Sequence, residues 1–257
     1  MTKALLLASL FPLCAPFLAD AATCTAASSA KLVPIVELYT SEGCDSCPPA
    51  DKWFSTLKPA SSGVIPLAFH VDYWDYIGWK DEFGQAAFGE RQRAGVRRQG
   101  GRVAYTPQVV LDGQDLRGWF RQTVLEASLT KARARQPRAR IEVGVVSANS
   151  SLILSATGDL TAGADGQNAR LFVAITENNL TSRITAGENR GVTLKHDHAV
   201  RNLIGPLGPD AQGRFNLQRN VPLPANWKLK DLGAVAFVQD QGTGETLQAV
   251  ALALCGG

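Results

Sequence analysis

The stretch Leu32-Val33-Pro34-Ile35-Val36-Glu37-Leu38-Tyr39-Thr40-Ser41-Glu42-Gly43-Cys44-Asp45-Ser46-Cys47 decides the reading of this chain. Its first half is an apolar run with the length and composition of a buried strand. Thr40 to Gly43 form a short loop, and Cys44-Asp45-Ser46-Cys47 then presents two thiols separated by two residues. Pro48-Pro49 suits the first turn of a helix, where missing N–H donors cost nothing. Ala50 to Lys58 continues it with Trp53, Phe54 and Leu57 at helical spacing. Two thiols at a strand-to-helix junction form a redox dithiol. The orphan N–H groups of the helix start favour the thiolate of Cys44, and Cys47 lies in reach to resolve a mixed disulfide. This chemistry requires Cys44 to be accessible.

Working outward, Val64 to Val71 is a second apolar strand, Phe83 to Arg98 a helix, and Gln108 to Leu111 a short strand. Asp112-Gly113 is a strong hairpin turn, Leu116 to Trp119 can return as its partner, and Phe120 to Arg135 closes with a helix. The order β-α-β-α-β-β-α is the thioredoxin order, expected over residues 22–135. Tyr105-Thr106-Pro107-Gln108 places a proline immediately before a strand, where such a fold holds a cis-proline against the dithiol. Thr106 and Pro107 therefore join Cys44 and Cys47 as candidate catalytic residues, forming a docking surface for an extended polypeptide. The competing reading is an ordinary trans-proline opening an edge strand. The basic run Lys131 to Arg140 reads as a helix end and linker. From Ile141 the pattern turns to period two, with strands at 141–145, 152–156, 171–175, 234–238 and 246–254. The predicted fold class is α/β plus all-β: a thioredoxin-like N-terminal domain followed by a C-terminal β-sandwich over 141–257.

One lysine followed by the apolar stretch Ala4 to Leu18 and the small-residue pattern Ala19-Asp20-Ala21 reads as a signal peptide over 1–21. The protein is then periplasmic or secreted. An uncleaved anchor helix is the alternative; the run is short for a bilayer span and holds Pro12 and Pro16. No later segment is apolar enough for stable membrane insertion. Cleavage removes Cys14 and leaves Cys24, Cys44, Cys47 and Cys255. In an oxidising compartment a Cys24–Cys255 structural disulfide tying the chain ends is expected, against a free or intermolecular Cys24. With 45% hydrophobic and 19% charged residues and a net charge of +3, the composition is that of an ordinary globular protein. It gives no case for nucleic acid.

A zinc site would need two further ligands near the cysteines, and no second CxxC exists. His196-Asp197-His198 puts two histidines on one strand face, where they bind a metal or merely form a polar stretch. Glu42 and Asp45 flank Cys44 and oppose its ionisation, which predicts a dithiol less oxidising than a strong disulfide donor. Tyr73, Trp74 and Trp79 follow the second strand and form either a wall beside the dithiol or ordinary core. Asp72 is a candidate proton acceptor for Cys47 or a solvated loop residue.

Val36-Glu37-Leu38-Tyr39-Thr40-Ser41-Glu42-Gly43-Cys44-Asp45-Ser46-Cys47-Pro48-Pro49-Ala50-Asp51 resembles the secreted, thioredoxin-like domain-of-unknown-function family numbered 1223. Tyr105-Thr106-Pro107-Gln108 and Gly187-Glu188-Asn189-Arg190-Gly191 with His196-Asp197-His198 are similar to it too. The resemblance implies an exported bacterial protein, the family cysteines at Cys44 and Cys47, and its proline at Pro107. Asp45-Ser46 differs from the Gly-Pro of thioredoxin, which leaves the redox direction open. The expected function is exchange of disulfides with protein thiols or disulfides, needing no organic cofactor. The alternatives are a copper-handling protein, since thiolate and imidazole suit Cu(I), or a binding module carrying a structural bridge.

Overall fold

Ile35–Thr40 (β2) and Ile65–His70 (β3) are buried at every position, as strands covered on both faces must be. They pair in parallel, Ile35 opposite Ile65 and Thr40 opposite His70. The computed structural model describes residues 23–255 apart from 149, 163 and 165, so the expected signal peptide lies outside the described residues. β1 (Thr23–Ala27) precedes this pair; α1 (Pro48–Phe54) and α2 (Pro59–Ser62) connect β2 to β3. Then come α3 (Ala86–Arg98), β4 (Gln108–Leu111), β5 (Gln114–Asp115) and α4 (Gln122–Arg133). The rest is almost entirely strand: β6 (Ala139–Ala148), β7 (Ser151–Leu160), β8 (Ala169–Glu177), β9 (Leu180–Arg183), β10 (Thr193–His196), β11 (Ala199–Leu207), β12 (Arg214–Pro222), β13 (Leu232–Asp240) and β14 (Thr246–Ala253). The protein is mostly β-sheet with few helices. No helix among the described residues is long and apolar enough to cross a membrane.

Eight strands form one sheet in the order β14-β13-β8-β11-β3-β2-β4-β5. β11 meets β3 in parallel, with Ala199 opposite Ala68, and then runs antiparallel to β8. Strands from both sides of the basic run thus share a single sheet. β1, β6, β7 and β12 make a second, four-stranded sheet, while β9 and β10 pair only with each other.

The two-residue period of β2 sorts the layers. Val36 and Leu38 face α1 and α4, packing with Phe54, Val109, Leu111 and Leu125. Farther along that same face, Leu171, Val173 and Ile175 of β8 pack on Val143, Val145, Leu154, Phe215 and Leu217 of the four-stranded sheet. The opposite face holds Tyr39, Phe69, Phe88, Phe172 and Phe237 beneath α3. There the Arg91 guanidinium lies 5.1–5.6 Å from the ring centres of Phe69, Phe172 and Phe237. It donates to Glu37 (2.6 Å) and to Gln239 Oε1 (3.0 Å).

Asp112 and Gly113 both have positive φ, 52° and 79°, the two-residue turn that an Asp-Gly pair favours. A Cβ on Gly113 would meet the Gly244 carbonyl at 2.5 Å, so this turn also fits against the β13–β14 loop. Asp112 Oδ1 accepts from the Thr246 N–H at 2.7 Å. The returning strand is Gln114–Asp115 rather than Leu116 to Trp119. Leu116 N–H still bonds Val109, but the chain then turns, with Trp119 bonded back to Leu116. Within the basic run, Arg135 and Arg138 both reach Glu245, each at 3.0 Å. Cys24, in β1, is bridged to Cys255, just beyond β14, with Cα atoms 5.8 Å apart.

Candidate functional site

The loop between β2 and α1 is a tight turn. Gly43 N–H bonds the Ser41 hydroxyl (3.1 Å), Cys44 N–H the Ser41 carbonyl (3.1 Å), and Cys47 N–H the Cys44 carbonyl (3.3 Å). Cys44 and Cys47 are bridged, their Cα atoms 5.4 Å apart. Two features depart from the sequence expectation. First, both cysteines are 0% exposed, so Cys44 is closed off from solvent. Second, the helix start offers the sulfur few donors. Pro48 and Pro49 have no N–H, and the N–H groups of Ala50 and Asp51 are spent on the Cys47 carbonyl at 2.9 and 3.1 Å. The polar neighbour of Cys44 Sγ is Ser46 Oγ at 3.4 Å.

The Thr106–Pro107 peptide is cis. It immediately precedes β4, whose Gln108 sits opposite Tyr39, so the proline lies at the β2 end that leads into the cysteine loop. Trp74 bridges the two: its Nε1 donates to Thr106 Oγ1 (2.7 Å), and a Cβ on Gly43 would lie 3.1 Å from its own. Trp79 donates through Nε1 to Glu42 Oε2 at 2.8 Å. Trp79 thus holds the loop by a hydrogen bond, while Trp74 bonds Thr106 and packs against the loop at Gly43. Asp72 is half-buried and beside Gly89 of α3.

A group of ionisable side chains that the sequence left scattered converges beneath this loop. Glu42, Asp51, His70, Asp81 and His196 are all buried. Glu42 shares a hydrogen bond with His196 Nε2 (3.2 Å), and its own N–H donates to Asp81 Oδ2 (2.9 Å). That carboxylate also holds His70 Nδ1 at 2.7 Å, and the two imidazoles meet edge to face at 4.7 Å. Asp51 Oδ2, His70 Nε2, His196 Nδ1 and the Thr40 hydroxyl have no hydrogen-bond partner among the described residues. Asp51 lies one turn after Cys47 on the inward face of α1, a position marked in the sequence only by its spacing from Ala50 and Phe54. His198 does not share the face of His196. It lies beyond the end of β10, in the bend before β11 with a φ of 59°, and its ring is edge-on to Phe54. Among the described residues, no three His, Cys, Asp or Glu side chains converge as a metal-holding set.

Burial pushes the Asp51 carboxyl up, opposed by the two imidazoles. Burial also disfavours a charged His70, but Asp81 outweighs it through charge and hydrogen bond, so His70 titrates above its ordinary value of 6.5. Asp81 is correspondingly held down by His70 despite its own burial. Because His70 is raised, the stability from this pair is complete below the ordinary imidazole value and is lost as pH rises through the raised one. On the Asp81 side it is lost as pH falls through the depressed carboxylate value. His70→Gln is therefore expected to flatten the loss of stability between a pH below the ordinary imidazole value and one well above it. Urea unfolding at the two pH values measures this; equal losses in variant and parent would contradict it.

A family model described as "Protein of unknown function (DUF1223)" matches residues 35–239. No curated protein matches. Among solved structures, an Agrobacterium tumefaciens protein determined by a structural genomics consortium is similar with a TM-score of 0.61 at 24% identity. That match covers 87% of this chain and 96% of the other. HBP35 of Porphyromonas gingivalis is similar with a TM-score of 0.65 at 17% identity, covering 88% of this chain and 76% of its own. At such identities these likenesses show a shared fold. The family match runs from β2 through the cysteine loop and into β13, well over half of the sequence, and on that ground the chain belongs to the DUF1223 family.

Proposed function

We propose that this protein is an extracytoplasmic thiol–disulfide exchange protein of thioredoxin-like design, with Cys44 and Cys47 as its reacting pair. The observation that carries the reading is the Cys44–Cys47 bridge at the start of α1, beside a strand that opens on a cis-proline. In the reduced form the Cys44 thiolate attacks a partner disulfide. A Cys44–partner bond forms and the other partner sulfur leaves as a thiolate. Cys47, giving up its proton, then attacks Cys44 Sγ, closing the internal bridge and releasing the second partner thiol. The partner gains two electrons and the protein loses two; run backwards, the same steps oxidise a partner. Thr106 and Pro107 supply the edge against which the partner chain lies.

Replacing Cys47 with serine blocks the second attack, so Cys47→Ser should accumulate disulfide-linked partners in the exported fraction. The double variant Cys44→Ser/Cys47→Ser should yield none. Non-reducing electrophoresis with mass spectrometry reads the result. A second reading is favoured by the complete burial of both sulfurs: the bridge is a structural clip within a binding module. Absence of adducts from Cys47→Ser, together with a bridge that survives millimolar glutathione in the folded protein, would establish that reading instead.

A further inference from the structure

The hairpin formed by β9 and β10 reaches the loop that carries the buried Cys44. Those strands join neither large sheet. Their connecting tip, residues 184–192, crosses to the cysteine loop. There Asn189, only 6% exposed, points its carboxamide inward and donates through Nδ2 to the carbonyls of Glu42 (2.8 Å) and Cys44 (2.9 Å). Glu188 accepts from the Asp45 N–H at 3.3 Å. The tip therefore grips the backbone on both sides of the reacting sulfur. Gly187, at φ 70°, fits against Trp79 and Ile77, where a Cβ would come within 3.3 Å of the Trp79 Cβ. Glu188, Arg190, Gly191 and Val192 face solvent. The tip is closed on itself by Gly191 N–H to the Ile184 carbonyl (2.8 Å) and Ile184 N–H to that of Val192 (2.9 Å). Raising it would unbury Ile184 but would break no strand pairing of either large sheet.

We infer that the 184–192 tip is a gate over the Cys44–Cys47 bridge and that Asn189 is its catch: a reductant reaches the sulfurs only while the tip is raised. The gate deepens the exchange reading, because it selects partners able to displace the tip. It concerns access to the bridge, however, and its test does not depend on any protein partner.

The oxidised full chain is treated with dithiothreitol, which passes two electrons and two protons to a bridge and closes to its own cyclic disulfide. Samples are quenched by alkylation and digested with trypsin. The peptide spanning residues 32–52 reports the Cys44–Cys47 bridge, and the Cys24 and Cys255 peptides report the other bridge in the same samples. Asn189→Ala should speed reduction of Cys44–Cys47 on the order of tenfold, the scale of losing two hydrogen bonds of ordinary net strength. The rate at Cys24–Cys255 should stay unchanged. Gly187→Ala, which pushes the tip off Trp79, should act the same way and carries the test if Asn189→Ala fails to fold. Wild-type rates in both variants would overturn the gate, as would equal acceleration at both bridges, since that signals global unfolding. Failure of Cys47→Ser to trap partners would sink the exchange reading while leaving this result standing.

Discussion

Arg91→Met should lower the unfolding free energy by about 3–5 kcal/mol, among the largest effects of any single side chain here. The guanidinium and its partner Glu37 are both withdrawn from water, with side-chain exposures of 13% and 6%. Desolvating Glu37 works against its charge, yet Arg91 outweighs that and holds the carboxyl below its ordinary range. Removing Arg91 leaves the buried Glu37 carboxylate with the Tyr39 hydroxyl, which donates to it at 2.5 Å, as its remaining side-chain hydrogen-bond partner among the described residues. An exposed ion pair would cost less than about 1 kcal/mol to break, so the size of the loss distinguishes the two situations. Adding Glu37→Leu to Arg91→Met should recover much of it, since an apolar pair of similar volume removes the orphaned charge. Urea unfolding at pH 7, followed by tryptophan fluorescence, tests both. The pH dependence has a defined sign: with Glu37 depressed, its contribution is present above the ordinary carboxylate value and is lost as pH falls.

Cys24→Ser/Cys255→Ser should cost about 4–5 kcal/mol and lower the melting temperature by roughly 10–15 °C. The bridge spans a sequence separation of 231 residues, so opening it releases nearly the whole described chain in the unfolded state. In the folded state it ties β1, an edge strand of the four-stranded sheet, to the end of β14 in the other sheet. Calorimetry of the oxidised protein against the double variant measures the loss. A shift of only a few degrees would mean that the ends are already held by packing, with Cys24 buried and paired opposite Val145.

How much of this was legible in the sequence follows the range of the interactions. β2 and β3 could be placed because their residues are apolar and their flanks are polar. The Asp112-Gly113 turn could be placed because its two positive φ angles suit that pair. The cysteine spacing and the proline before β4 located two halves of the candidate site, both set by neighbours in sequence. The Leu116 to Trp119 segment looked like a strand by composition, but the chain turns after one ladder bond. What stayed hidden was long-range. The meeting of Asp51, His70, Asp81 and His196 depends on strands from both halves of the chain. Asn189 looks like any loop asparagine until the hairpin carries it to the Cys44 carbonyl. The serial αβ-then-β pattern also suggests two independent bodies, because nothing local announces that Ala199 will settle beside Ala68.

That alanine-to-alanine seam has a consequence for how the molecule comes apart. A fragment ending after α4 would leave β3, buried at every position in the intact protein, as a raw sheet border. It would also strip Phe172 and Phe237 from around Arg91. Such a fragment has every reason to aggregate, and the intact chain has every reason to lose its two halves in one cooperative step.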